Sequence, residues 1–76
     1  MTRLPQVSGA RVKRALERAG FVQVRQQGSH AIMRHPDDAR RWATVPIHGG
    51  GNVKPGTLRS ILAGAGLTVE ELLQLL

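Results

Sequence analysis

The order of the hydrophobic patterns along this chain limits its possible folds more than any other feature. A helical repeat comes first, three short strand-like runs follow, and a second helical repeat comes after them. The chain has 76 residues and no cysteine, so neither disulfides nor thiolate metal sites can brace such a fold. The elements must therefore bury one small shared core, and we expect a single domain over residues 1–76.

The first helix is predicted between Ser8 and Gly20. Ser8 is a favourable N-cap residue, and Gly20 readily adopts the positive φ that ends many helices. The apolar residues between them recur at helical spacing: Val12, Ala15, Leu16 and Ala19. One face of this helix is therefore expected to lie against the rest of the core.

Three strands are predicted next, over 21–25, 29–34 and 40–45, with turns at 26–28 and 35–38. The second strand has two alternating sets of side chains. One set is Ser29, Ala31 and Met33, and the other is His30, Ile32 and Arg34. Neither set is uniformly polar, so the pattern leaves open which of them faces the core.

The second helix is predicted to start at Pro55 and to end at Gly66, after a glycine-rich loop over 47–54. Thr68 and Glu71 form a capping-box pattern that opens a short last helix. The sequence thus predicts an α+β fold, a two-layer α-β-β-β-α sandwich with a short extra C-terminal helix. Double-stranded-RNA-binding domains share this order, although element order does not by itself determine function.

Positive charge is the second informative feature. The chain has 11 Lys and Arg against 5 Asp and Glu, a formal net charge of +6, and every basic residue lies between Arg3 and Arg59. Such a surface attracts polyanions, but it can also serve solubility or an acidic protein partner, so charge leaves these three roles open. Phe21 and Trp42 are the only aromatic residues. They are too few for an aromatic RNA-stacking platform, and Trp42 is expected to pack rather than to stack on a base.

The sequence shows no signal for a membrane. No apolar run is long enough to span a bilayer, and the segment from Met1 to Gln6 lacks the apolar stretch of a signal peptide. We therefore expect a cytoplasmic protein.

The chain lacks the motifs of P-loop, dinucleotide-binding and serine-hydrolase sites, and it lacks the carboxylate clusters of two-metal hydrolysis. RNA cleavage needs fewer groups, because RNA carries its own nucleophile. A base takes the 2′-hydroxyl proton, the 2′-oxygen attacks phosphorus, and an acid protonates the leaving 5′-oxygen. A histidine can serve as base or acid near neutral pH, while nearby cations stabilise the transition state. We expect any RNA cleavage by this chain to need no metal ion and no other cofactor.

Each of the three histidines also has an ordinary structural interpretation. In a functional interpretation, Gly28 permits a close backbone approach, and the Ser29 hydroxyl can orient a phosphate or the His30 imidazole. In the structural interpretation, Gly28 is a hairpin residue and His30 is a half-exposed strand residue. His48 is either a second acid–base group or a loop residue. His35 lies in a turn, where we expect it to be solvated. The spacing of the three histidines matches no usual metal-ligand pattern.

Two further basic features have open interpretations. The glycine run 49–51, followed by Lys54 and Pro55, is either a phosphate cradle at a helix N-terminus or a flexible loop. The first helix carries a row of arginines that is either a contact for a polyanion or a solvated face: Arg11, Arg14 and Arg18.

Several segments in a fixed order carry a resemblance to a known family. The most specific is Gly28-Ser29-His30, followed by an apolar strand and the turn Arg34-His35-Pro36. The other segments are Leu4-Pro5, Ser8-Gly9, Leu16 through Ala19-Gly20-Phe21, Val45-Pro46-Ile47-His48, the run from Lys54 to Leu62, Ala65-Gly66-Leu67-Thr68, and Glu70-Glu71. Together they span nearly the whole chain, which resembles the HicA toxins of bacterial and archaeal type II toxin–antitoxin pairs. Leu72 stands where many members have an aromatic residue.

This resemblance implies an endoribonuclease that cleaves mRNA and arrests growth, with a double-stranded-RNA-binding-domain-like fold. His30 would be its catalytic residue, and a HicB-type antitoxin would bind the toxin and mask the site. Gly28 and Ser29 are expected to contact RNA beside His30. From their placement on strands and loop, four cations are candidate phosphate contacts: Arg25, Arg34, Arg41 and Lys54.

The sequence is therefore consistent with three functions. The favoured hypothesis is a metal-independent ribonuclease that uses His30. A non-catalytic RNA-binding module of the same fold would bind RNA in a salt-sensitive manner without cutting it. A protein-interaction domain, held to an acidic partner by its basic face, would have no affinity for RNA.

Overall fold

The computed structural model describes residues 3–47 and 49–76. In chain order, its elements are α1 (Gly9–Arg18), β1 (Val22–Gln27), β2 (His30–His35), β3 (Asp38–Pro46), α2 (Pro55–Ala65) and α3 (Val69–Leu75). The strands form one antiparallel sheet with β2 in the middle. The predicted α+β order with a short extra C-terminal helix is confirmed.

The core lies between the helices and one face of the sheet. Ala31 and Met33 of β2 pair with Val45 and Ala43 of β3, and all four side chains are buried. The helices contribute Val12, Ala15, Leu16, Leu58, Ile61, Leu62, Ala65 and Leu72 to this cluster, and Val7, Phe21 and Val53 join it from the connecting segments. The sheet therefore has a core face and an outward face, and the alternation in β2 places His30 on the outward face.

The helix ends agree with the sequence prediction. The Ser8 hydroxyl accepts a hydrogen bond from the Arg11 N–H at 3.3 Å, and Gly66 ends α2 with a φ of 70°. The capping box that opens α3 is complete, since Thr68 and Glu71 each bond the other's backbone N–H. Among the helices in the described part of the chain, none is long and apolar enough to cross a membrane.

The first hairpin turn differs from the prediction. The expected turn at 26–28 is wrong, because β1 continues to Gln27, which pairs directly with His30. The turn is the two-residue loop of Gly28 and Ser29, with a φ of 55° at Gly28. A positive φ at the first central residue matches the right-handed twist of the flanking strands, which favours this shorter loop. The carbonyl of Gly28 also accepts a 3.0 Å hydrogen bond from Gln26 Nε2.

His35 is packed, so the expectation that it is simply solvated is wrong. Its ring meets the buried Phe21 ring edge-on, with 5.1 Å between the centroids. Its Nδ1 accepts a 3.2 Å hydrogen bond from the Asp37 N–H. His35 thus closes the turn between β2 and β3 and covers Phe21, which is a structural role.

Asp38 begins β3 and is paired with Arg40. The Arg40 guanidinium donates to the Asp38 carboxylate at 3.2 Å, and the Arg40 backbone N–H donates at 3.0 Å. The guanidinium hydrogen bond first, and the backbone hydrogen bond second, hold the pKa of Asp38 below its usual value. This pair lies at the end of the sheet away from His30.

Candidate functional site

His30 is the first residue of β2 and follows the Gly28–Ser29 turn directly. It pairs with Gln27 of β1 on one side and with Pro46 of β3 on the other. Its side chain is exposed, while the next residue, Ala31, is completely buried on the core face. A central strand therefore holds the backbone of His30 rigidly, and the imidazole is left accessible on the outward face.

A cavity of about 320 Å³ lies beside His30. Its lining residues are His30, Thr44, Pro46, Asn52, Val53, Lys54 and Thr57. The start of β2, the end of β3 and the start of α2 meet there, so segments far apart in the sequence share one concave surface. A histidine and a lysine are thus brought together next to three elements of regular structure.

Backbone pairing holds Lys54 in this position. The N–H of the buried residue Val53 donates to the Val7 carbonyl at 2.8 Å, and Ser8 forms a bridge with Asn52. These contacts tie the end of the glycine loop to the segment that leads into α1. Lys54 is therefore presented from an anchored backbone, although its own side chain is exposed.

The N-terminus of α2 adds positive potential to the cavity. Lys54 is its N-cap residue, Pro55 is its first residue, and within the described residues no side chain caps this end. The first N–H groups of a helix lack intrahelical acceptors, and the helix dipole makes that end partly positive. Together with the Lys54 ammonium, these groups form a setting that attracts a phosphate.

Arg25 and Arg34 lie on the same face as His30 but further along the sheet. Arg25 pairs with Ile32, and Arg34 pairs with Val22 on one side and Trp42 on the other. Both arginines are exposed. The structure thus brings these two predicted cations onto the face that carries His30, although neither lines the cavity beside it.

Gly28 and Ser29 form the turn that leads into His30. An added Cβ at Gly28 would meet nothing within 4 Å, so this glycine serves the positive φ of the turn and makes no room for a packed neighbour at that position. Ser29 is half-buried, and its carbonyl accepts a 2.6 Å hydrogen bond from the Ile47 N–H. The turn is therefore fastened to the end of β3, next to the cavity.

Arg41 is not brought together with His30. It lies on the core side of β3, where its Nε donates to the Ala65 carbonyl at 2.8 Å. Its guanidinium carbon lies 5.3 Å from the centre of the Phe21 ring. Arg41 thus stabilises the end of α2. Side chains two residues apart in a strand lie on the same face, so the position of Arg41 relative to Ala43 and Val45 already indicated that it faces the core side.

Two other candidate ligand groups were predicted from the sequence, one at His48 and one in the glycine run that follows it. His48 lies outside the described residues, and the glycine run 49–51 does not line the cavity beside His30. In residues 3–47 and 49–76, no three His, Asp or Glu side chains lie close enough together to hold a metal ion. The polar side chains that line the cavity are those of His30, Lys54, Asn52, Thr44 and Thr57.

Trp42 was expected to pack, and that expectation is wrong. Its side chain is 48 % exposed on the outward face, in the cross-strand position next to Arg34. It lines a second cavity, of about 310 Å³, between β3 and α2. Successive side chains of a strand lie on opposite faces. Because Ala43 is buried on the core face, its neighbour Trp42 lies on the outward face.

A comparison with protein families identifies the relationship of this chain to known proteins. Residues 9–67 match the family described as the HicA toxin of bacterial toxin–antitoxin systems. The chain belongs to the HicA toxin family. This HicA-family protein is therefore the toxin of a toxin–antitoxin system, and its partner is an antitoxin. No curated protein sequence matches the chain.

Proposed function

We propose that this HicA-family toxin is an endoribonuclease that cleaves mRNA without a metal ion, with His30 as general acid or base. The observation that carries the proposal is the cavity that His30 shares with Lys54. An imidazole and a cation on one concave, accessible surface are the two kinds of group that RNA transesterification requires.

The reaction balances with the groups that RNA itself supplies. A base removes the 2′-hydroxyl proton, the bond from the 2′-oxygen to phosphorus forms, and the bond from phosphorus to the 5′-oxygen breaks. The leaving 5′-oxygen takes a proton from an acid. The products are a 2′,3′-cyclic phosphate and a free 5′-hydroxyl. His30 carries one of the two proton transfers, and Lys54 with the N-terminus of α2 stabilises the negative charge that builds up on the phosphate.

The remaining outward-facing cations extend the contact with RNA. Arg25 and Arg34 stand on the same face as His30, further along the sheet, where they can bind phosphates of nucleotides to one side of the cut. Arg41 has no part in this proposal, because its guanidinium faces the core side and bonds to α2. The chain's formal charge of +6 favours encounter with any polyanion.

A HicB-type antitoxin completes the proposal. It neutralises the toxin by covering the outward face around His30, so that RNA cannot enter the cavity. The family membership supports an antitoxin as the partner. The exposure of His30, Lys54 and Arg34 supports this face as the surface that must be covered.

The decisive experiment uses purified toxin, a labelled RNA oligonucleotide and EDTA. The wild-type protein is expected to cut the RNA and leave 2′,3′-cyclic phosphate ends. His30→Ala is expected to cut at least about 100-fold more slowly, the usual effect of losing a general acid or base. His30 is exposed, so the variant should keep the circular dichroism spectrum and melting temperature of the wild type. Undiminished cleavage by the folded variant contradicts the assignment of His30.

A binding titration with the same RNA at several salt concentrations, run beside the cleavage assay, separates the alternative functions. Tight, salt-sensitive RNA binding without strand scission by the wild-type protein would assign it as a non-catalytic RNA-binding module. Absence of any RNA affinity would assign it as a protein-interaction domain. A substrate with a single 2′-deoxynucleotide at the cut position is the chemical control, because it lacks the nucleophile and should resist cleavage there.

A further inference from the structure

Two cavities adjoin along the seam between β3 and α2. The first, beside His30, and the second, beside Trp42, are both lined by Thr44 and Thr57. The two cavities are therefore neighbours along this seam, and we call them together the seam groove. The Trp42 end lies between β3 and α2. Its lining residues are Trp42, Ala43, Thr44, Thr57, Ser60, Ile61 and Gly64.

Close backbone packing shapes the Trp42 end of the seam groove. A Cβ added at Gly64 would come to 2.5 Å from the Trp42 carbonyl oxygen, so α2 touches the backbone of β3 at this residue. This contact holds the strand beside the helix, while the Trp42 side chain stays 48 % exposed. An exposed aromatic ring on a firmly held backbone loses little conformational entropy when it binds a flat partner.

We propose that the Trp42 end of the seam groove binds the nucleobase of a single-stranded RNA, one that flanks the phosphate cut at His30. This inference rests on the proposed ribonuclease function for the identity of the cut site. The Trp42 indole supplies the stacking face, and Thr57 and Ser60 supply hydroxyl groups that donate or accept hydrogen bonds at the base edge. Trp42 is then a residue that positions the substrate and takes no part in proton transfer.

The spacing and the charge fit an RNA strand that runs along the groove. His30 pairs with Pro46, four residues from Trp42 on β3, which places the two about 14 Å apart from the rise of an antiparallel strand. Arg34 lies directly across from Trp42, where it can neutralise a phosphate next to the stacked base. Lys54 at the His30 end of the groove, and Arg34 on the sheet beside Trp42, are cations that suit the phosphates of a strand whose base stacks on the indole.

The single tryptophan of this chain makes a direct test possible. Its intrinsic fluorescence is measured while wild-type toxin is titrated with a short 2′-O-methyl RNA, which cannot be cleaved because its 2′-oxygen is blocked. We expect the fluorescence to be quenched in a saturable manner. The same oligonucleotide with one abasic position should lose this quenching when the missing base is the one that stacks on Trp42.

Variants give the second test. Trp42→Ala is expected to weaken binding of the 2′-O-methyl RNA by about tenfold or more, the usual loss for one stacked base, whereas Trp42→Phe should retain most of the affinity. With cleavable RNA, Trp42→Ala should raise KM by a similar factor and change kcat little, because the indole is remote from His30. Leu73→Ala, which removes an equally exposed apolar side chain from α3, is the matched control and should behave as wild type.

The outcomes distinguish this proposal from the one on which it rests. Saturable quenching by a wild-type protein that does not cut RNA would refute the ribonuclease function and leave the base-binding role intact. Unchanged fluorescence at saturating RNA, together with unchanged affinity of Trp42→Ala, would overturn the base-binding role. A fluorescence change produced by the antitoxin and not by RNA would also overturn it and assign the groove to the protein partner.

Discussion

His30 and Lys54 line one cavity, although the whole of β3 and the glycine loop separate them in the chain. β2 sets the position of the histidine, and the pairing of Val53 with Val7 sets that of the lysine. The two groups therefore meet through tertiary structure alone. Their combination of an imidazole and a cation is the basis of the cleavage proposal, and each contribution can be tested separately.

Loss of the Lys54 charge should weaken RNA binding at the cavity. Lys54→Ala is expected to cut RNA about tenfold more slowly, as the loss of one charged contact implies. The slope of log binding constant against log salt concentration should also become shallower, by the amount that corresponds to about one phosphate contact. Arg59→Ala removes the same charge from an exposed position on α2 outside both cavities, so it should have a smaller effect. Equal losses in the two variants would show that only net charge matters.

Arg41 should matter for stability and not for RNA cleavage. Arg41→Ala removes the hydrogen bond to the Ala65 carbonyl and the contact with Phe21, and should lower the free energy of unfolding by about 2 kcal/mol. Urea unfolding measures this loss. The neighbouring Arg40→Ala, which removes an exposed ion pair, should shift the midpoint little. Slower cleavage by Arg41→Ala under conditions where it is fully folded would return Arg41 to the RNA contacts.

Two glycines of α2 should respond in opposite ways to the same substitution. A Cβ at Gly64 would press on the Trp42 carbonyl oxygen, whereas a Cβ at Gly56 would meet nothing within 4 Å. Gly64→Ala should therefore destabilise the protein by about 1–3 kcal/mol, and Gly56→Ala should stabilise it by about 0.5–1 kcal/mol. Thermal unfolding of both variants checks this difference. A stabilised Gly64→Ala protein would mean that α2 does not touch β3 at Trp42.

The Asp38–Arg40 pair should make a small, acid-sensitive contribution to stability. The pKa of Asp38 is lower in the folded protein than its usual value of 3.8, so the folded state binds fewer protons than the unfolded chain. The contribution is therefore present above the unfolded pKa and is lost as pH falls through the lower folded value. The melting temperature of Asp38→Asn should fall less between about pH 4 and pH 2 than that of the wild type. An unchanged slope would show that this exposed pair is fully screened.

Much of the fold could be predicted from local patterns. The caps at Ser8, Thr68 and Gly66 depend on residues within one helical turn, so the sequence places them correctly. The turn between β1 and β2 was misplaced because its position depends on strand register, which the pairing of Gln27 with His30 decides. Neighbouring residues alone do not determine that pairing.

The sequence by itself determined the element order and the excess of basic charge, which depend on local composition, and the resemblance carried by Gly28-Ser29-His30 indicated His30 as the candidate catalytic residue. Tertiary structure decided which face of β2 is outward, and with it the exposure of His30. It also turned Arg41 toward Ala65 and left Trp42 exposed beside α2. These outcomes depend on how the strands pair and where α2 packs. Backbone pairing between strands decides which side chains become neighbours across the sheet. That pairing joins segments that are distant in the sequence, so the pattern of adjacent residues does not determine it.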